Sequence, residues 1–130
     1  MRVLQPADWA RAKGYANGIE ARGRTIFVAG QIGWDKDQRF RAKDFAGQFE
    51  QTLKNILAVL REANAGPEHI VRMTWFITDK KAYLADVKRI GETYRALMGR
   101  NFPTMSVVQV AALIEDDALV EIETTAVVPD

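Results

Sequence analysis

Residues 25–32 read Thr25-Ile26-Phe27-Val28-Ala29-Gly30-Gln31-Ile32. In an extended chain Ile26, Val28 and Ile32 fall on one side and Phe27 and Ala29 on the other. A strand with one wet face alternates apolar and polar residues, whereas a strand apolar on both sides is covered on both. This stretch therefore predicts a sheet whose two faces are both buried.

The neighbouring segments supply the rest of that sheet and the cover for one face. Gly14–Arg22 reads as a short strand, and Gly23 suggests a hairpin turn into residues 25–32. Gly33–Lys43 is a mixed-charge, solvated loop, and Asp44 stands where a carboxylate can cap a helix. Phe45, Phe49, Leu53, Ile56, Leu57 and Leu60 follow at helical spacing, ended by Gly66 and Pro67. In Ile70–Thr78, Val71, Met73, Trp75 and Ile77 share one strand face. Tyr83, Val87, Ile90, Tyr94 and Leu97 form a second helical stripe that stops at Gly99. Met105–Leu113 is an apolar strand, residues 114–117 a polar turn, and Ala118–Val128 a last strand with Glu121, Glu123 and Thr125 on one face. The expected order is β-β-α-β-α-β-β: an α+β two-layer sandwich, a mixed sheet with two helices on one face, in a single domain over residues 1–130.

Two helices cover one face of such a sheet and leave no chain for the other. Another copy of the protein is the simplest cover, so a closed homo-oligomer is expected.

Composition narrows the chemistry. The chain has 130 residues, 48% hydrophobic and 27% charged, the balance of an ordinary globular domain. Eighteen Lys and Arg against seventeen Asp and Glu leave a net charge of +1, which argues against a nucleic-acid partner. Without cysteine there is no disulfide, thiolate metal site or thiol nucleophile. The single histidine, His69, excludes a His-pair ribonuclease or multi-His metal site within one chain and reads as surface structure. No metal and no cofactor are expected. Asp8 in the mixed segment Met1–Ala10 argues against a signal peptide, and no apolar run approaches a membrane span. A cytoplasmic protein with no membrane partner is expected.

Tyr15, the segment Phe27–Ile32, the stretch Pro103–Leu113 and Val120-Glu121-Ile122-Glu123 occur together in this order. With Asn55–Leu60 and Phe76-Ile77-Thr78-Asp79, they resemble the RidA family (reactive intermediate deaminase A, also YjgF-like or L-PSP endoribonuclease-like) over nearly the whole chain. The resemblance implies a chorismate-mutase-like fold and a homotrimer whose sheets form a central barrel, with a small-molecule ligand in each intersubunit cleft. It implies hydrolysis of an enamine or imine to a keto acid and ammonia.

Carried over by residue, the resemblance makes Glu121 the catalytic carboxylate that holds water. It makes Tyr15, Ala29, Gly30, Met105 and Val107 substrate-binding positions, and Trp34 is a candidate aromatic wall. The family's carboxylate-binding Arg is absent: Pro103-Thr104-Met105 puts Met105 in its place. Val107 stands at a Cys or Thr position, Gly91 at that of a pocket Asn, and Ile114 where many members have Pro. A guanidinium gives a carboxylate two charge-assisted hydrogen bonds, each worth roughly 1.5–3 kcal/mol, and methionine gives none. Either the ligand is not an α-imino acid, or another cation among Arg72, Arg89, Arg95 and Arg100 anchors it. The alternative is a non-catalytic trimer of the same fold that binds a metabolite or a protein.

Overall fold

The computed structural model describes residues 1–130. Strands β1 (Arg2–Leu4) and β2 (Gly18–Glu20) pair antiparallel as a separate ribbon. Strands β3 (Arg24–Ile32), β4 (Ile70–Ile77), β5 (Thr104–Gln109) and β6 (Val120–Val128) form the main sheet in the order β3-β6-β4-β5. Only the β4–β5 pair is parallel, so the sheet is mixed, as expected. Helices α1 (Phe45–Arg61), α2 (Lys80–Ala85) and α3 (Val87–Met98) complete the fold.

One core joins the helices to one face of the sheet. Phe49, Leu53, Ile56 and Leu60 of α1 and Ile90, Tyr94 and Met98 of α3 pack on Val28, Met73, Trp75, Ile77, Val120, Ile122 and Ala126. The other face is open: Phe27 is 79% exposed, and Ala29, Arg72 and Glu123 are exposed beside it. A side chain of that size in water on a flat sheet is the physical mark of a surface that another molecule covers.

Four expectations are corrected. The segment before Gly23 does not pair with β3, because β2 is only three residues long and takes β1 as its partner. Gly23 instead lies at φ 144° against the Val128 carbonyl, where any side chain would overlap the end of β6. The second helix is two helices, broken at Asp86 (φ −124°, ψ 19°). The strand from Met105 stops at Gln109 rather than Leu113. Finally, a register shift between Val28 and Gln31 inserts an extra residue into β3. Such a bulge reverses the alternation, so Ile32 comes opposite Glu121 and is buried outside the main core.

Capping follows chemistry more than position. Asp44 stands at the start of α1, but its side chain makes no cap bond; Oδ2 accepts from Arg89 Nη1 at 2.7 Å instead. Asp79 caps α2, accepting from the backbone N–H groups of Lys81 and Ala82, which offsets the lysines at that positive helix end. In the loop after β3, Asp35 accepts from the backbone of Asp37 and Arg39 and from Arg41 Nε at 2.8 Å. The Arg41 hydrogen bond is the main reason its carboxyl is held below the usual carboxylate range. His69 Nδ1 accepts from the Gly66 N–H at 3.0 Å and closes the turn into β4.

Gln48 locks the helix layer to the loop before β6. It is 1% exposed. Its Nε2 donates to the carbonyls of Asp117 (2.9 Å) and Ala42 (3.3 Å), and its Oε1 accepts from Leu119 N at 2.8 Å.

Candidate functional site

A cleft of about 290 Å³ opens between the β5 edge and the helix layer. Its floor is Met105 and Val107 of β5 with Trp75 of β4. In parallel strands, paired residues share a face, so Met73, Trp75, Met105 and Val107 all point toward the helices. One wall is Tyr83 of α2 and Val87, Ile90, Gly91, Tyr94 and Arg95 of α3. The break at Asp86 turns α3 so that Val87, Gly91 and Arg95, each four residues apart, line up along the opening. The other wall is Lys13, Gly14, Tyr15 and Phe102. A bridge from Ala16 to Thr104 fixes this N-terminal segment against β5.

Five of the thirteen lining residues are aromatic, and the charge of the lining has one sign. Tyr94 stacks on Phe102 with ring centroids 5.9 Å apart and planes 9° apart, and Tyr83 meets Trp75 edge-on at 6.4 Å. The Tyr94 hydroxyl donates to the Asn101 carbonyl at 2.5 Å, and burial raises its pKa well above the tyrosine range. Lys13 and Arg95 are the ionised groups on the lining, neither in an ion pair, and no carboxylate accompanies them. The site therefore suits an anion with a flat or apolar body.

The other expected site residues lie elsewhere in the chain. Gly30, at the β3 bulge, faces the Glu121 carboxylate so closely that a methyl group on Gly30 would overlap it. Glu121 is half-buried and has no hydrogen-bonding or ionic partner. It pairs with Phe76 on the sheet face turned away from the helices, opposite to that of Met105 and Val107. Ala29 belongs to that outer face too, in a concavity with Phe27, Arg72 and Glu123. Trp34 is in neither cluster: its ring packs on Phe40 at 5.9 Å, and its carbonyl accepts from Asn55 Nδ2.

The structure thus brings Tyr15, Met105 and Val107 together, brings Gly30 and Glu121 together, and keeps the two groups apart. Of the candidate replacement cations, Arg89 is engaged by Asp44 and Asp86, Arg72 is on the outer face, and Arg100 lies in an adjacent groove. Only Arg95 of those four lines the cleft. Sequence reasoning missed Lys13 altogether. The four-residue spacing of Val87, Gly91 and Arg95 was a visible signal, but the turn of α3 that exposes it was not. No group of three or more His, Asp or Glu side chains is placed to hold a metal, and no helix is long and apolar enough to cross a membrane.

The chain matches the family model for endoribonuclease L-PSP over residues 7–128. It is 32% identical to the RutC family protein UK114 of Drosophila melanogaster over 126 residues, 96% of this chain and 88% of that one. It is 31% identical to a 2-iminobutanoate/2-iminopropanoate deaminase of Homo sapiens, over 97% of this chain and 89% of that protein. Among solved structures, a Yersinia pestis protein of the conserved Rid family, YyfB, of unknown function, superposes with a TM-score of 0.87 at 29% identity, covering 98% of both chains. Escherichia coli TdcF with bound serine superposes at 0.69 with 32% identity, covering 98% of this chain and 99% of that one.

Proposed function

Because this chain belongs to the endoribonuclease L-PSP family of Rid and RutC proteins, we propose that it is a RidA-like hydrolase that deaminates a small enamine, imine or related metabolite. The reaction takes place in a cleft shared between copies of a homotrimer. The observation that carries this reading is the division of the site. The cleft holds Tyr15, Met105 and Val107 but no carboxylate, while Glu121 lies unpaired beside Gly30 on the opposite face. The sheet order puts β3 and β5 on opposite edges, so one chain carries two half-sites and a neighbour supplies the missing half. The open face around Phe27 and the unpaired outer edge of β5 are the surfaces such an assembly covers.

In the completed cleft, an enamine takes a proton at carbon and gives up one from nitrogen to become the imine, and water adds to the C=N carbon. The Glu121 carboxylate takes a proton from that water and returns it to the departing nitrogen. The tetrahedral adduct collapses to a carbonyl and ammonia, so one water is consumed for each ammonia released. Val107 contributes only backbone groups to the water's position, and Tyr15 closes the substrate side. Met105 withholds the guanidinium that an α-imino acid needs at this strand, which supports a ligand other than 2-aminoacrylate.

A coupled assay for 2-aminoacrylate hydrolysis, with light scattering at micromolar concentration, tests the reading. Little activity is expected from the wild type, a clear gain from Met105→Arg, and a trimer mass from both. High wild-type activity overturns the reading of Met105, and a monomeric mass overturns the shared cleft.

A further inference from the structure

The cleft lacks a cation on β5 yet carries one on the wall facing it. Arg95 is exposed, makes no ion pair and no side-chain hydrogen bond, and lines the same cavity as Met105. It reaches back over Gly91, one helical turn earlier. A Cβ built on Gly91 would stand 3.4 Å from Arg95 Nη1, with no other group within 4 Å. The guanidinium therefore lies over the one position on α3 that has no side chain.

Resting on the cleft reading above, we infer that Arg95, seconded by Lys13, is the anion anchor of this cleft. The ligand is accordingly a small carboxylate with an aromatic or branched apolar body. Three observations converge on that class. The charged groups of the lining are both cations. Phe102 and Tyr83 offer flat apolar surface, backed by the buried Tyr94 and Trp75 rings on which they pack. Met105 and Val107 make the floor apolar where a cation would otherwise select a short polar acid. Moving the anchor from the floor to the helix wall turns the ligand, so that its apolar body lies over Met105 instead of its carboxylate. Arg95 is here a binding and positioning residue, and the proton transfers stay with Glu121.

Equilibrium binding of phenylpyruvate, its methyl ester and pyruvate to the assembled wild-type protein, Arg95→Gln and Gly91→Ala tests the inference. The wild type is expected to prefer phenylpyruvate to both the neutral ester and the body-less pyruvate. Arg95→Gln should weaken phenylpyruvate by about tenfold or more, the loss of one charge-assisted pair, and leave the ester unchanged. That collapse of the acid–ester difference is a readout that a general structural lesion does not produce. Gly91→Ala should raise the melting temperature, because the helix gains a better former, and keep the acid–ester difference, because a methyl 3.4 Å from Arg95 Nη1 is an ordinary contact. If the wild type binds phenylpyruvate and Arg95→Gln binds it equally well, the anchor assignment fails and the cleft stands. If the wild type binds none of the three probes, the cleft reading fails with it.

Discussion

Phe27→Asp separates assembly from folding. Phe27 is 79% exposed and takes no part in the core cluster, so replacing it removes nothing that holds one chain together. A phenylalanine offers roughly 200 Å² for burial. The exposed share is then roughly 160 Å², worth about 4 kcal/mol at about 25 cal/mol per Å², against about 1.5–3 kcal/mol for burying such a side chain on transfer scales. A loss of about 2 kcal/mol at each contact is a conservative figure and weakens it roughly thirtyfold. A buried carboxylate adds its own desolvation penalty. In a closed ring the same loss recurs at every interface. Sedimentation velocity across the micromolar range should show a trimer for the wild type and a monomer for Phe27→Asp. Circular dichroism of the variant should keep the wild-type helix signal, and Phe27→Leu should remain assembled. An assembled Phe27→Asp of wild-type mass refutes the argument, because a carboxylate could not then sit at a buried contact. An unfolded variant refutes it differently, by showing that Phe27 serves the monomer.

Other consequences are as direct. Gln48→Leu strands the Leu119 N–H and the Asp117 carbonyl, at a cost of about 2–3 kcal/mol after the apolar gain, which a urea midpoint measures; an unchanged midpoint shows that water replaces the amide. Thr124 is 4% exposed with an unpartnered hydroxyl between Val28 and Met73, so Thr124→Val should raise stability by about 1 kcal/mol, and a lower melting temperature contradicts this. Burial raises the Tyr94 pKa in the folded state, so above about pH 10 the unfolded chain loses that proton first. The unfolded state then binds fewer protons, and stability falls with rising pH by up to about 1.4 kcal/mol per unit. Urea titrations at pH 9 and 11 should show that drop in the wild type and a smaller one in Tyr94→Phe; equal drops remove Tyr94 as its source.

Much of this was legible in the residues themselves. The period of Phe45, Phe49, Leu53 and Ile56 specifies a helix face, and the alternation of Val120, Ile122, Thr124 and Ala126 specifies a strand face, because both patterns depend only on local geometry. The uncovered face was legible too, since Phe27 and Val28 are apolar neighbours that point opposite ways. What local pattern could not supply is pairing. Strand β2 turned to β1 because the contest between partners is settled by length and register, which no single strand contains. The bulge at Ala29–Gly30 sets Glu121 against Gly30, and the break at Asp86 sets Arg95 above Met105. Both are long-range outcomes of packing. Local pattern was enough for the helix and strand faces, the core and the absence of an arginine at position 105. Only the tertiary structure decided that the expected site residues fall on two faces of the sheet and that Arg95 lines the cleft with Met105, because both depend on how separate elements are rotated against one another.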